Sequence, residues 1–234
     1  MKTLIFIGPT LAAAEVHARL PDATVMPPAA VGDVLRAGRR RGVRRIAIVD
    51  GYFERMAAVW HKEILLALER GIAVWGASSM GALRAAELAP FGMIGVGSIY
   101  KAYARGSIVA DDEVAVAHLP AEQGYRAVSD ALVNIREGLA RAQKAAAIDL
   151  RTAARLIELA RARFYRERSW AQLIADGRAE GMNLDALAAF PKPDRKAADA
   201  RLLLKKLAAD RGKPPLKIRV PRTWALRQLE QIHR

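Results

Sequence analysis

The sequence contains no cysteine. That absence removes disulfides, thiolate zinc sites, iron–sulfur clusters and any cysteine nucleophile or persulfide carrier. Any sulfur chemistry would have to carry the sulfur on another molecule. Aromatic residues make up only 6% of the chain, so the basic–aromatic interleaving that grips single strands is missing. No zinc-finger or RNA-binding signature replaces it, and nucleic acid is not the expected partner. No run approaches about 18 consecutive apolar residues, so no membrane span is expected. The opening Met-Lys-Thr-Leu-Ile-Phe-Ile-Gly is too short an apolar run for a signal peptide, and the cytoplasm is the expected location.

What is present is a 234-residue chain, about half hydrophobic, with a net charge of +14. That suffices for one large domain, or one domain with an appendage. The charge is uneven. Residues 1–120 hold 14 Lys and Arg against 11 Asp and Glu; residues 121–234 hold 24 against 13. A basic second half suits an acidic partner, or is a set of solvated helix faces.

The first half alternates apolar runs with helical patterns. Thr3–Gly8, Ala23–Met26, Arg45–Asp50 and Ile72–Gly76 read as strands buried on both faces. Leu11–Arg19, Val31–Arg41 and Val59–Arg70 read as the helices between them, the last two stopped by Gly42 and Gly71. The pattern predicts an α/β fold: a small doubly wound parallel sheet of four or five strands, flavodoxin- or Rossmann-like in class. From Pro120 onward only helices are expected, including Tyr125–Gln143 with Val128, Leu132, Ile135 and Leu139 on one stripe. The second half also offers a loop, Arg211-Gly212-Lys213-Pro214-Pro215, and a last helix, Thr223–His233. The expected division is an α/β core over 1–119 and a basic helical region over 120–234, in which a homodimer contact is reasonable.

Open parallel sheets bind ligands beyond the carboxyl ends of their strands. Three turns converge there: Gly8-Pro9-Thr10, Asp50-Gly51-Tyr52 and Ala77-Ser78-Ser79-Met80-Gly81. The last runs from strand to tight turn to helix. It looks like a nucleophile elbow, Gly-x-Ser-x-Gly, centred on Ser79 with Ala77 at the first position. Three readings stand together: Ser79 or Ser78 is a nucleophile, the serines and helix end bind an anion, or one serine is an N-cap. A substrate at this edge would meet Gly8, Pro9, Thr10, Gly51 and Tyr52, and Gly76, Met80, Gly81 and Arg84 around the serines.

A nucleophilic serine needs a base. Of His17, His61, His118 and His233, His61 is the best placed, because its helix leads into the fourth strand; otherwise it is a surface residue at a helix start. Asp50 can orient a base or bind substrate, or is a turn residue. Glu63 can serve as acid or base, or is a solvated helix charge. Arg84 pairs with Glu87 at i, i+3, or faces an anionic substrate. Asp111, Asp112 and Glu113 are weak candidates for Mg²⁺ and more often form a cap. No Walker motif is present and Gly95-x-Gly97 alone signals little, so no cofactor is expected.

The same blocks carry a family resemblance. Gly8-Pro9-Thr10-Leu11, Asp50-Gly51-Tyr52-Phe53, Trp60-His61-Lys62-Glu63-Ile64-Leu65, Gly76-Ala77-Ser78-Ser79-Met80-Gly81-Ala82-Leu83-Arg84-Ala85-Ala86-Glu87-Leu88 and Asp111-Asp112-Glu113-Val114-Ala115 occur in this order. The set resembles the TfuA-like core domain over roughly residues 2–119. The resemblance implies a partner of YcaO enzymes, which activate a peptide amide with ATP, in thioamide formation on ribosomally made peptides or on a methanogen enzyme. It implies sulfur supply from a thiocarboxylate on a small ubiquitin-like carrier. The elbow read from the residues fits that role: its serine would attack the thiocarboxylate carbon and release hydrosulfide, with His61 or Glu63 activating the water that hydrolyses the acyl-enzyme. The alternative it leaves open is a non-catalytic module that recruits or activates YcaO and binds the carrier or a peptide tail.

Overall fold

The computed structural model describes residues 2–54, 56–212 and 216–232. Residues 213–215 of the expected loop and His233 lie outside them. By contacts the chain divides into two units, one of Met1–Ile108 with Ala197–Arg234 and one of Val109–Lys196. The division expected from sequence placed a single break after residue 119.

The first unit is built on a five-stranded parallel sheet: β1 Lys2–Phe6, β2 Thr24–Met26, β3 Val43–Ile48, β4 Ala73–Ala77 and β5 Ile94–Val96. Its order, β2-β1-β3-β4-β5, is that of a flavodoxin-like doubly wound sheet. β5 comes from the Gly-rich Phe91–Gly97 stretch, where three strand residues leave little periodicity to read. Alternation along the strands sends side chains to two faces. On one face Leu4, Phe6, Ile46, Ile48 and Val74 meet α2 (Asp33–Arg39), α3 (His61–Glu69) and α4 (Met80–Leu88). On the other, Ile5, Ile7, Ala47, Val49, Trp75 and Ala77 meet α1 (Ala13–Arg19) and α10 (Arg195–Ala209).

α10 is amphipathic at helical spacing, with Ala197, Ala200, Leu203, Leu204 and Leu207 buried on the sheet. Asp199 on its buried side accepts hydrogen bonds from the Ser98 and Ile99 amides and so caps α5 (Gly97–Ala104). α11 (Trp224–Ile232) buries Leu226 and Leu229 against Leu35 and Leu66 of α2 and α3. Glu69 fixes the approach to α11, accepting from the Val220 amide at 2.7 Å and from Arg222 at 2.5 Å.

The second unit packs α6 (Leu132–Lys144), α7 (Leu150–Ala162), α8 (Trp170–Ala179) and α9 (Asp185–Ala189) around Leu132, Ile135, Leu139, Leu156, Leu173 and Leu187. The helix expected from Tyr125 starts at Leu132 instead, and Val128, expected on its apolar stripe, is 54% exposed. The upstream residues are held otherwise. Val128 N–H donates to Ala117 O, Ser129 Oγ accepts from the Ala117 amide, and the Asp130 carboxylate accepts from Trp170 N–H. Such short polar side chains compete with helix by bonding backbone elsewhere. Ser169 caps α8, accepting from the Gln172 amide. No described helix is long and apolar enough to cross a membrane.

Candidate functional site

At the carboxyl edge of the sheet the strand ends are knit together. Asp50 is 1% exposed, and its Oδ2 accepts from the Gly8 and Thr10 amides at 2.9 and 3.0 Å. Its Oδ1 accepts from Thr10 Oγ1 at 2.6 Å. One carboxylate thus folds the Gly8-Pro9-Thr10 turn onto the end of β3. The segment after β2 joins the same edge, because Ala29 N–H donates to Asp50 O and Tyr52 N–H to Ala29 O. Gly51 is closed over by Met80: an added Cβ would lie 2.8 Å from Met80 Cγ. The expected convergence of Gly8, Thr10, Asp50, Gly51 and Met80 is therefore present in the geometry.

The turn between β4 and α4 has an unusual backbone. Ser78 has φ +71°, and Ser79 N–H donates to Ala77 O at 2.9 Å across it. A three-residue turn with positive φ at its centre is the rare and strained γ-turn. For a residue with a side chain, holding that conformation costs about 1–3 kcal/mol. The bend is centred on Ser78, one residue before the centre expected from the sequence pattern. In this register Gly76, not Ala77, takes the first position of the elbow.

Small residues let the turn close. A Cβ on Gly81 would come within 1.7 Å of Ile48 O, and one on Gly76 within 2.1 Å of Gly81 O. α4 therefore starts in backbone contact with β3 and β4, and only glycine fits at that crossing. Ser79 is the N-cap residue of α4 by position, with no side-chain cap hydrogen bond. The Gly81 amide donates to Val49 O and those of Ala82 and Leu83 to Ser79 O, whereas the Met80 amide makes no hydrogen bond among the described residues. A helix end with an open amide is suited to a developing oxyanion or a carboxylate.

The expected bases do not gather at the serines. His61 Nε2 lies 2.8 Å from Glu87 Oε2, which also accepts from Arg84 Nη1 at 2.7 Å. Glu87 sits about 12 Å along the α4 axis from Ser79, at 1.5 Å per residue. His61 is therefore tied to the far end of α4. Arg84 forms the expected i, i+3 pair and adds a bond to Val59 O.

Glu63 is fully buried, not a solvated helix charge. Its Oε1 accepts from the Gly32 and Trp60 amides and its Oε2 from the Val34 and Leu35 amides, at 2.8 to 3.2 Å. Burial pushes its carboxyl above the ordinary range, against the downward pull of those four donors. Glu63 staples the start of α2 to the start of α3. Only the Trp60 bond is local; the other three donors, on Gly32, Val34 and Leu35, lie 28 to 31 residues away and no local pattern announces them.

Asp111, Asp112 and Glu113 form a single 3-10 turn. Glu113 is buried and paired with Arg136, and Asp112 accepts from Arg168, itself buried and bonded also to Ala160 O and Arg163 O. Asp112 and Glu113 thus hold arginines, and no cluster suited to a metal ion occurs among the described residues.

No curated protein gives a significant match to the chain. A family model for TfuA-like protein matches residues 50–169, about half of the sequence. The match begins at Asp50, takes in the γ-turn with Gly76, Gly81, His61 and Glu63, and runs past the Asp111–Glu113 turn to the cap of α8. The chain belongs to the TfuA-like protein family.

Proposed function

We propose that this protein supplies sulfur to a YcaO enzyme during backbone thioamide formation, by hydrolysing the C-terminal thiocarboxylate of a small carrier protein. TfuA-like proteins are associated with YcaO partnership in thioamide formation. The observation that carries the chemical step is the γ-turn at Ser78, between a buried strand and a helix whose first amide, of Met80, has no hydrogen-bond partner among the described residues. Strain of this kind concentrates where a side chain must be aimed at a reacting atom.

The step balances with the departing sulfur as the final acceptor of the serine proton. A serine hydroxyl at the elbow, on Ser78 or Ser79, adds to the thiocarboxylate carbon, and the oxyanion takes a hydrogen bond from the α4 amide end. The C–S bond breaks, the serine proton leaves on the sulfur as hydrosulfide, and an ester remains. Water cleaves the ester, giving carrier carboxylate and free serine. Asp50 holds the first turn against the site, and Gly51 and Met80 pack beside it. The test is sulfide release from thiocarboxylated carrier by the purified protein. Release that survives in both Ser78→Ala and Ser79→Ala would rule out the serine route.

A second reading, a recruiting or activating module, is favoured by one observation: Ser78 is wholly buried and His61 is bonded to Glu87 rather than placed at the elbow. Under it the protein releases no sulfide alone, yet raises YcaO turnover.

A further inference from the structure

A separate surface lies on the sheet face covered by α1 and α10. Arg19, Arg201, Leu202, Lys205 and Ala208 line a cleft of about 440 Å³ there. α10 spends its other side on the sheet through Ala200, Leu203, Leu204 and Leu207, so this outward face contributes nothing to the core. One carboxylate organises the cations. Glu15 accepts from Arg201 Nε at 2.7 Å and from Arg19 Nη1 at 3.0 Å, and its carboxyl is held below its usual range by Arg201 first. Two guanidinium groups are thereby held side by side by a single negative charge. Lys205 adds a third cation, and it makes no ion pair among the described residues. Between them Leu202 is 40% exposed.

We propose that this cleft docks an acidic segment of a partner protein, with partner carboxylates on Arg19, Arg201 and Lys205 and one aliphatic side chain over Leu202 and Ala208. Planar guanidinium forks suit carboxylates, and prior orientation by Glu15 reduces the ordering they must undergo on binding. An apolar contact ringed by charged groups is the anatomy of a protein interface. Nucleic acid fits less well: the cleft has no aromatic for base stacking, and Glu15 would face the phosphates. The inference rests on the proposed function only in presupposing a protein partner, and its test does not involve the serines.

The test is fluorescence anisotropy of the full-length protein with a labelled peptide of repeating Glu-Glu-Leu-Ala. Wild type binds it, and the same peptide with Gln for Glu does not bind. Lys205→Glu with Arg201→Glu weakens binding about tenfold or more, as expected for loss of charge-assisted contacts. Lys205→Glu alone, which breaks no pair in the fold, weakens it several-fold, and Leu202→Ser does the same. Arg126→Glu with Lys144→Glu, an equal change of charge elsewhere, leaves binding unchanged. No binding by wild type would overturn the proposal, as would equal loss in the cleft and control variants. So would duplex DNA that binds the cleft more tightly than the peptide and is indifferent to Leu202. Sulfide release measured on the same variants separates failure of the docking site from failure of the serine chemistry.

Discussion

Thr10 Oγ1 lies 2.6 Å from Asp50 Oδ1, a buried contact between the first and third strand ends. The hydroxyl is the only donor on that oxygen among the described residues; the other oxygen takes two amides. An asparagine can keep its carbonyl on the amides and turn its NH₂ to Thr10, whose oxygen can accept. Asp50→Asn should therefore cost only about 1 kcal/mol, whereas Asp50→Ala orphans buried donors and should cost on the order of 3 kcal/mol. Urea unfolding of the two variants checks the difference.

Glu63 predicts the opposite outcome for the same kind of change. Both of its oxygens face backbone N–H groups, so a glutamine must set its NH₂ against two donors. Glu63→Gln should cost on the order of 3 kcal/mol, well above Asp50→Asn. Equal midpoints for the two amide variants would mean that Glu63 is not the shared staple of α2 and α3.

Ser78 should show stability and activity moving apart. Ser78→Gly removes the side chain that makes φ +71° costly, so it should unfold at equal or higher denaturant, by up to about 1 kcal/mol. A β-branched residue there should destabilise. If Ser78 is the attacking serine, the glycine variant releases no sulfide while being at least as stable as wild type.

Acid should loosen α11 before the sheet. Hydrogen bonds from Arg222 and then from the Val220 amide hold the Glu69 carboxyl below its ordinary value. A folded-state value below the unfolded one gives stability that is present above the unfolded value. That stability is lost as pH falls through the lowered folded value. Hydrogen exchange in α11 should therefore rise below about pH 4, near the ordinary Glu range. Glu69→Gln should show that raised exchange already at neutral pH.

Much of this architecture was legible because the strands are short apolar runs and the glycines punctuate the helices. The elbow could be read from Gly76 to Gly81, where small residues cluster between a strand and a helix. Its centre could not, since positive φ at Ser78 follows from Gly76 and Gly81 crossing against β3, a contact between elements. Glu63 looked like a solvated charge because its donors come from Gly32, Val34 and Leu35. α10 falls among the helices expected from Pro120 onward, but that its apolar stripe lies on the sheet is a contact between segments far apart in sequence. Tyr125–Ala131 has helix-forming composition, yet Ser129 and Asp130 bond backbone elsewhere, which propensity does not record.

The central claim is a covalent one, and intact-protein mass measurement tests it most directly. Wild type mixed with thiocarboxylated carrier and quenched in acid should carry one carrier mass less hydrogen sulfide, on a peptide containing Ser78 and Ser79. The adduct should vanish in the variant lacking the attacking serine. Rapid sulfide release with no adduct at any quench time, undiminished when both serines are alanine, would contradict the account.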